Sequence, residues 1–325
     1  MTTAETGREP LAGRASSVAA GRAPGVPRAR FSDRLSERQI GILFILPFLA
    51  AALVFMVYPV VQVVRLSLYY RNPLRPDFWQ FVGLDNFRYI FADPLFWDSF
   101  AQATIWTFAS ILLQTVLGVA IALLLHQPLR GISVFRGLLL FPYIVPTAVI
   151  ALIWTWMFNP EIGIVNYALH AARLISEDIY WLSTPGMAMA STILLNVWKY
   201  TPFVIIVVLA RLQTVPLELY DAAKVDGAGA LRRFVDITLP QLKEVLMVVV
   251  VFRTIWTFNK FEEIYLLTKG GPGTSTFNLA IYSFEQSIAN LRLGVGAATG
   301  VVMTAMLLIG SIIYLRLFRF GRDEA

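Results

Sequence analysis

Six long apolar stretches run through the chain, and they constrain its fold more than any other feature of the sequence. Each is long enough to cross roughly 30 Å of hydrocarbon as a helix that rises about 1.5 Å per residue. Helices are expected because they satisfy their own backbone hydrogen bonds where water is absent. The sequence therefore predicts an all-α polytopic membrane protein with six transmembrane helices, at about residues 40–64, 101–125, 134–158, 187–209, 245–267 and 293–317.

Prolines interrupt two of these stretches. Pro142 and Pro146 lie in the third stretch and Pro202 lies in the fourth. In lipid such breaks are tolerated where neighbouring helices or a water-filled path satisfy the freed carbonyl groups.

The distribution of basic residues predicts the orientation. With the amino terminus inside, 17 Lys and Arg residues fall in the tail, in the loops on that side and at the carboxyl end, against seven in the three opposite loops. The positive-inside rule then places both termini in the cytoplasm. The net charge of +6 is spread between apolar stretches rather than gathered in a groove, so we expect no nucleic-acid partner.

Residues 1–38 are rich in Arg, Ala, Gly, Pro and Ser and have almost no large apolar residues before Phe31. Such a segment cannot bury enough apolar surface to fold, so we expect a disordered cytoplasmic tail there. The transmembrane domain is expected over residues 39–320.

The residue types argue against an enzyme. The chain has no cysteine, and its two histidines, His126 and His170, belong to no metal-binding motif, so we expect no metal and no cofactor. No nucleophile or acid–base pair stands in a recognisable motif. Residues 269–275, KGGPGTS, lack the order of a phosphate-binding loop, so ATP hydrolysis would require another chain.

The longest cytoplasmic loop, residues 211–243, has a pattern of its own. Helix formers occupy residues 217–225, Gly227 and Gly229 interrupt them, and residues 230–237 are suited to a second short helix. Pro240 then stands near the start of the next span, where a missing N–H does no harm. The pattern predicts two short helices joined by a glycine turn at the inner face of the membrane.

This loop resembles the "EAA" loop of permease subunits in binding-protein-dependent ABC importers. The residues that carry the resemblance are Asp221, Ala222, Ala223, Asp226, Gly227, Ala228 and Phe234, followed by Ile237, Leu239 and Pro240. Asp221 stands where the family pattern has Glu, which keeps the carboxylate but shortens its reach. Segments 81–87, 141–146, 154–158, 163–166, 198–203 and 264–272 are similar to the maltose-type carbohydrate branch of the same family.

The resemblance implies a type I importer permease fold and a multi-pass subunit of the bacterial inner membrane. It implies that residues 220–240 couple the chain to an ATPase, and that the partners are a second related permease in a heterodimer, two ATPase copies and an extracytoplasmic solute-binding protein. The implied cargo is a carbohydrate, with a polyol or glycerol phosphate as alternatives. An ion-coupled secondary transporter is a further alternative, but it predicts paired repeats that the sequence does not display.

Polar residues within the fourth and fifth spans are candidates for lining the solute path, because such residues are costly in lipid and face the bundle interior. Amide and aromatic side chains suit a sugar, whose hydroxyls need hydrogen bonds and whose C–H faces stack on rings. The candidates are Asn196, Lys199, Tyr200, Trp256, Asn259 and Glu263. The alternative is that these groups hold helices together, with Lys260 either paired to Glu263 or snorkelling outward.

Overall fold

A computed structural model of the chain describes residues 36–75, 77–127 and 131–319. Residues 1–35 of the expected tail lie outside this range. The chain divides into two compact units between Tyr58 and Pro59. In the first unit, helix α1 (Glu37–Ala52) begins behind a capping box of Ser36 and Gln39 and continues into a π turn, Leu53–Val57.

The described residues of the second unit are mostly helical and include a small hairpin of strands β1 (Tyr69–Arg71) and β2 (Trp79–Phe81), which pair in antiparallel fashion with Tyr70 opposite Gln80. The elements up to residue 125 are α2 (Tyr58–Ser67), β1 (Tyr69–Arg71), β2 (Trp79–Phe81), α3 (Asp85–Ala92) and α4 (Pro94–Leu125). The middle elements are α5 (Ile132–Ile144), α6 (Thr147–Met157), α7 (Ile164–Ala171), α8 (Pro185–Leu212), α9 (Leu217–Val225) and α10 (Ala230–Arg233). The last elements are α11 (Leu239–Phe258), α12 (Glu262–Thr268), α13 (Leu279–Phe284) and α14 (Leu293–Arg319), with π turns at Phe234–Thr238 and Glu285–Ala289.

Four helical segments of the described residues are long and apolar enough to cross a membrane. They are Gly41–Ser67, Pro94–Leu125, Pro185–Leu212 and Leu293–Leu317, and the bent pair α5–α6 makes a fifth if it is taken as one span. Helix α11 is 20 residues long but carries Lys243, Glu244 and Arg253. The count of six spans and the side of the termini therefore stay predictions.

The third stretch, residues 134–158, is broken before Pro146, where an interruption was expected. Helices α5 and α6 meet at an angle of 96°. Pro146 causes this break, because a residue before proline avoids the helical region and Val145 is extended, with ψ of 134°. Pro142, in contrast, is accommodated inside α5.

The expected span over residues 245–267 is not one continuous helix. Helix α11 ends at Phe258, and α12 begins only at Glu262. The side-chain amide of Asn259 donates to the carbonyl of Ile255 at 3.1 Å, so it competes with the backbone bonds that would continue the helix. The carbonyl of Lys260 in the break accepts a hydrogen bond from Asn278 Nδ2 at 2.6 Å.

Helices α4 and α8 pack most closely against each other, and α11 packs against both. A Cβ at Gly118 would lie 2.6 Å from the Cβ of Val204, so this crossing requires glycine. Near the α9 end of the bundle, a core cluster joins Ala122 and Leu125 of α4 to Leu242 of α11. At the other end Ala103 and Phe258 share a core cluster, so α4 and α11 run antiparallel.

Candidate functional site

Helix α9 in the 211–243 loop ends at a glycine cap. Gly227 has a φ of +76°, in the left-handed region that glycine adopts without strain. Its amide donates to the carbonyl of Lys224 at 3.1 Å, and the amide of Ala228 donates to the carbonyl of Ala223 at 2.8 Å. This pair of bonds is a Schellman motif, with Asp226 as the C-cap. The chain direction after α9 is therefore fixed by hydrogen bonds.

The second half of the loop differs from the expected separate short helix over residues 230–237. Helix α10 passes without interruption into a π turn that begins at Phe234, and this turn passes directly into α11. The amide of Leu239 donates to the carbonyl of Phe234, five residues earlier. A π turn is wider than an α turn, and its position just before Pro240 makes room for the proline ring within a continuous helix.

Most of the expected coupling residues lie on the surface of the loop. Asp221, Ala222 and Asp226 are exposed, while Ala223, Ala228 and Phe234 are half-buried. Asp221 forms an exposed ion pair with Lys224 at 2.8 Å.

Large apolar side chains on the same loop are also exposed. Helix α9 buries none of its residues. Val225 is 88% exposed, Leu231 77% and Leu217 68%. Since exposed apolar patches mark sites of interaction, this surface is suited to another chain.

A buried polar cluster lies where α4, α8, α11 and the α11–α12 break come together. Its members are linked by side-chain hydrogen bonds and come from segments far apart in sequence. The polar cluster consists of Gln114, Asn196, Tyr200, Arg253, Lys260 and Glu263.

Glu263 is the anion at the centre of the polar cluster and is 1% exposed. Its Oε2 accepts a hydrogen bond from Asn196 Nδ2 at 2.6 Å, and its Oε1 accepts one from the Tyr200 hydroxyl at 2.5 Å. Lys260 Nζ lies 3.1 Å from the same Oε1. A buried carboxylate is tolerated only when it is paired and hydrogen-bonded, and these three partners meet that need.

Gln114 connects the carboxylate side of the polar cluster to Arg253. Its Nε2 donates to Asn196 Oδ1 at 2.6 Å, and its Oε1 accepts from Arg253 Nε at 2.9 Å. The Arg253 guanidinium also lies 4.4 Å from the centre of the Tyr200 ring, a cation–π contact. Gln114 thus joins α4, α8 and α11 through one side chain.

Lys199 reaches the break between α5 and α6, and its Nζ also lies 5.5 Å from the centre of the Tyr200 ring. Its Nζ donates to the carbonyl of Val145 at 3.2 Å and to Thr147 Oγ1 at 2.6 Å. Lys199 therefore supplies a donor to the backbone at the break that Pro146 creates.

Trp256 and Asn259 lie outside the polar cluster. Trp256 is 44% exposed and its ring contacts Phe203, with centroids 5.6 Å apart. Asn259 is exposed and bonds only within α11. Of the six candidate path residues, the structure links Asn196, Tyr200 and Glu263 by hydrogen bonds and places Lys199 in cation–π contact with Tyr200, while Trp256 and Asn259 lie outside the cluster.

The sequence reasoning did not single out Gln114. The available signal was a lone carboxamide in an otherwise apolar stretch, which points inward in a membrane helix. Arg253 and Lys260 stood on the expected polar face but were not among the candidates. The described residues contain no group of three His, Asp or Glu side chains placed to hold a metal ion.

Comparisons with known proteins identify the family. Residues 114–320 match the family described as the inner membrane component of binding-protein-dependent transport systems. The trehalose/maltose transport system permease protein MalF of Thermococcus litoralis is 38% identical over 288 residues, which cover 88% of this chain and 96% of that protein. The chain belongs to this permease family.

Two further comparisons agree with the family. The sulfoquinovosyl glycerol transport system permease protein SmoG of Agrobacterium fabrum is 37% identical over 285 residues, or 88% of this permease and 92% of that protein. A crystal structure of a bacterial ABC transporter that imports the acidic polysaccharide alginate contains a chain with a TM-score of 0.75 and 22% identity, covering 86% of this permease and 95% of that chain.

Like its relatives, the permease is a membrane component of a transport system and not an enzyme. It has the type I importer permease fold, as its structural similarity to the chain of the alginate importer shows. The family description places it in an inner membrane, where it works with the other components of a binding-protein-dependent system. The expected family and the expected absence of enzymatic activity are thus confirmed.

Proposed function

We propose that the permease carries a carbohydrate inward across the bacterial inner membrane, driven by a separate ATPase that binds its 211–243 loop. In this proposal the domain over residues 39–320 spans the membrane six times, with both termini in the cytoplasm. A second related permease forms a heterodimer with it, two ATPase copies bind the inner face, and an extracytoplasmic binding protein delivers the solute.

The observation that carries the coupling proposal is the exposed apolar surface of the loop. Val225, Leu231 and Leu217 are exposed rather than packed against the other residues that the structure describes. The Schellman motif at Gly227 holds α9 in one orientation relative to the chain that follows. A rigid apolar surface of this kind suits a groove on a partner protein, as a helix-in-groove contact does.

The continuity of α10, the π turn and α11 supports a mechanical role. A displacement of the loop passes into α11 without an intervening flexible link, since the backbone stays helical from Ala230 to Phe258. Helix α11 carries Arg253 of the polar cluster and ends beside Lys260 and Glu263. ATP-driven movement of the loop thereby reaches the polar cluster.

For the solute path we propose two roles among the six candidates. Trp256 and Asn259 are exposed and offer an aromatic face and an amide to a sugar. Asn196, Tyr200 and Glu263 are buried and bonded to one another, so they line the path only when the helices separate. Lys199, held at the α5–α6 break, borders the same region.

The cargo proposal is supported by relatives matched over nearly their whole length. Two of them are permeases for trehalose/maltose and for sulfoquinovosyl glycerol, both of which contain a sugar ring. We therefore propose a mono- or oligosaccharide as the cargo. Binding of a polyol or glycerol phosphate, and not of a sugar, would replace this proposal for the cargo.

Copurification tests the assembly. The permease, tagged at its carboxyl end and extracted in mild detergent from its native membrane, is expected to bring down a second permease and an ATPase. The associated binding protein is then titrated with maltose, trehalose, sorbitol and glycerol 3-phosphate. Recovery of the permease alone, with solute uptake driven by an ion gradient, would contradict the proposal.

A further inference from the structure

Arg211 joins the two ends of the 211–243 loop. It lies in the last turn of α8, and its Nε donates to the backbone carbonyl of Gln241 at 3.0 Å. Its Nη2 donates to Gln241 Oε1 at 2.7 Å, and its Nη1 donates to Thr214 Oγ1 at 3.1 Å. Two parallel donors of one guanidinium thus hold two acceptors of one residue, 30 positions away in the chain.

A second polar contact crosses the loop. The hydroxyl of Tyr220 in α9 lies 3.0 Å from Thr238 Oγ1, in the π turn. Because α9 buries none of its side chains, apolar packing contributes little to holding it against the rest of the chain. Polar side chains therefore hold α9 to the base of the loop, where Leu212 of α8 and Leu242 of α11 also share a core cluster.

We infer that Arg211 is a positioning residue that makes α8 and α11 move as one body with the loop when an ATPase pushes on it. The inference rests on the proposed coupling function of this loop. A loop whose ends were free would absorb a push by local changes of φ and ψ, and little of the displacement would reach α8. The Arg211–Gln241 contact prevents this by fixing the end of α8 to the start of α11.

The geometry distinguishes this role from simple capping of a helix. A basic residue in the last turn of α8 also favours the negative end of the helix dipole, and lysine would serve that purpose equally well. Only arginine presents two parallel donors to Gln241, since a lysine ammonium is a single point of charge. Arg211→Lys therefore keeps the capping charge and removes the brace.

The test uses the absence of cysteine from this chain. Phe252→Cys places one thiol on α11. The Phe252 side chain is 48% exposed, and the centroid of its ring lies 5.7 Å from that of Trp256. The complete transporter is reconstituted in proteoliposomes, and labelling of this thiol by a membrane-impermeant maleimide is measured with and without MgATP, beside the rate of ATP hydrolysis. We expect ATP to change the labelling rate about fivefold with Arg211 present, in the range of ordinary coupling energies.

With Arg211→Lys we expect the ratio of labelling rates with and without ATP to fall to near one, while ATP hydrolysis continues. Gln241→Glu keeps two acceptors for the guanidinium, so it should preserve the change. Arg88→Lys is the matched control, because Arg88 forms only an exposed ion pair with Asp85, far from the loop in sequence.

An ATP-dependent change that survives Arg211→Lys would overturn the inference. If that variant does not assemble, Gln241→Leu is measured instead, because it removes only the side-chain acceptor of the Arg211 contact. An undiminished ATP-dependent change in the labelling rate of Gln241→Leu also overturns the inference. If ATP alters no labelling even with Arg211 present, the proposed coupling function itself is wrong, which is a distinct result.

Discussion

At the scale of single residues, Glu263 determines the character of the polar cluster. It is the carboxylate that Asn196, Tyr200 and Lys260 all contact, and it is buried. Its neutralisation leaves the Lys260 ammonium beside an amide, without a counterion.

Glu263→Gln is therefore expected to destabilise the permease by about 3 kcal/mol, the usual cost of breaking a buried ion pair from one side. Thermal unfolding of the purified protein in detergent measures this. The neighbouring Glu262 is exposed, so Glu262→Gln is the matched control and should change stability by less than about 0.5 kcal/mol. Equal effects of the two substitutions would show that the polar cluster does not stabilise the fold.

The residue identities alone predicted that polar groups in the spans would turn inward, but they did not predict the partners. Asn196, Tyr200 and Glu263 were all expected to line the solute path, and the structure joins them by hydrogen bonds; their place on the path stays a prediction. Their link to Gln114 depends on the crossing of α4 with α8, which no local periodicity specifies. Asn259 was expected within a continuous helix, whereas its own side chain helps to end α11; its place on the solute path stays a prediction.

At the scale of elements, the α9 cap rests on the left-handed backbone of Gly227. Gly227→Val is expected to strain the turn by roughly 1–2 kcal/mol and to uncouple ATP hydrolysis from uptake, or to block assembly, without changing the preferred solute. ATP hydrolysis and uptake are measured on the same proteoliposomes.

Gly227→Asn is the matched control for this prediction. Asparagine tolerates the left-handed conformation and occurs at the same position of helix caps. It should retain most of the coupling. Loss of coupling in Gly227→Asn, or full coupling in Gly227→Val, would mean that the backbone conformation of the cap is not what matters.

The crossing of α4 and α8 gives a second prediction for an element. Gly118→Ala adds a Cβ that would lie 2.6 Å from the Cβ of Val204, so we expect the helices to be forced apart at a cost of about 1–3 kcal/mol. The melting temperature of the purified permease should fall accordingly. Gly300→Ala in α14 meets no atom within 4 Å and should be neutral or stabilising; a similar loss there would refute the close-packing account.

The outlines of the helices could be predicted from apolar length, and their breaks only in part. The last stretch, 293–317, has the same bounds as the observed apolar segment Leu293–Leu317, since it contains no proline and no charged residue before Arg316. Pro146 was recognised as an interruption, but the 96° bend also depends on Lys199 reaching the freed backbone from another helix. The continuity from α10 into α11 was missed because the wider π turn that accommodates Pro240 has no simple sequence signal.

At the scale of the whole molecule, the exposed apolar loop and the buried polar cluster lie in different parts of the chain, and α11 joins them. The exposed Trp256 and Asn259 should then affect the passage of solute more than the stability of the fold. Trp256→Ala and Asn259→Ala are expected to lower uptake of a transported sugar at least about tenfold, if each contact contributes roughly 1.4 kcal/mol. ATP hydrolysis and assembly, measured in parallel, should change little; unchanged uptake with normal assembly would remove both residues from the path.

The central claim is that this permease imports solute only when an ATPase acts on its 211–243 loop. The most direct test is uptake of radiolabelled maltose and trehalose by proteoliposomes that contain the copurified complex and its binding protein, with ATP supplied on the loop side. We predict uptake that requires ATP and that Gly227→Val abolishes. Uptake by the purified permease without an ATPase, or uptake that is indifferent to ATP, would contradict the claim.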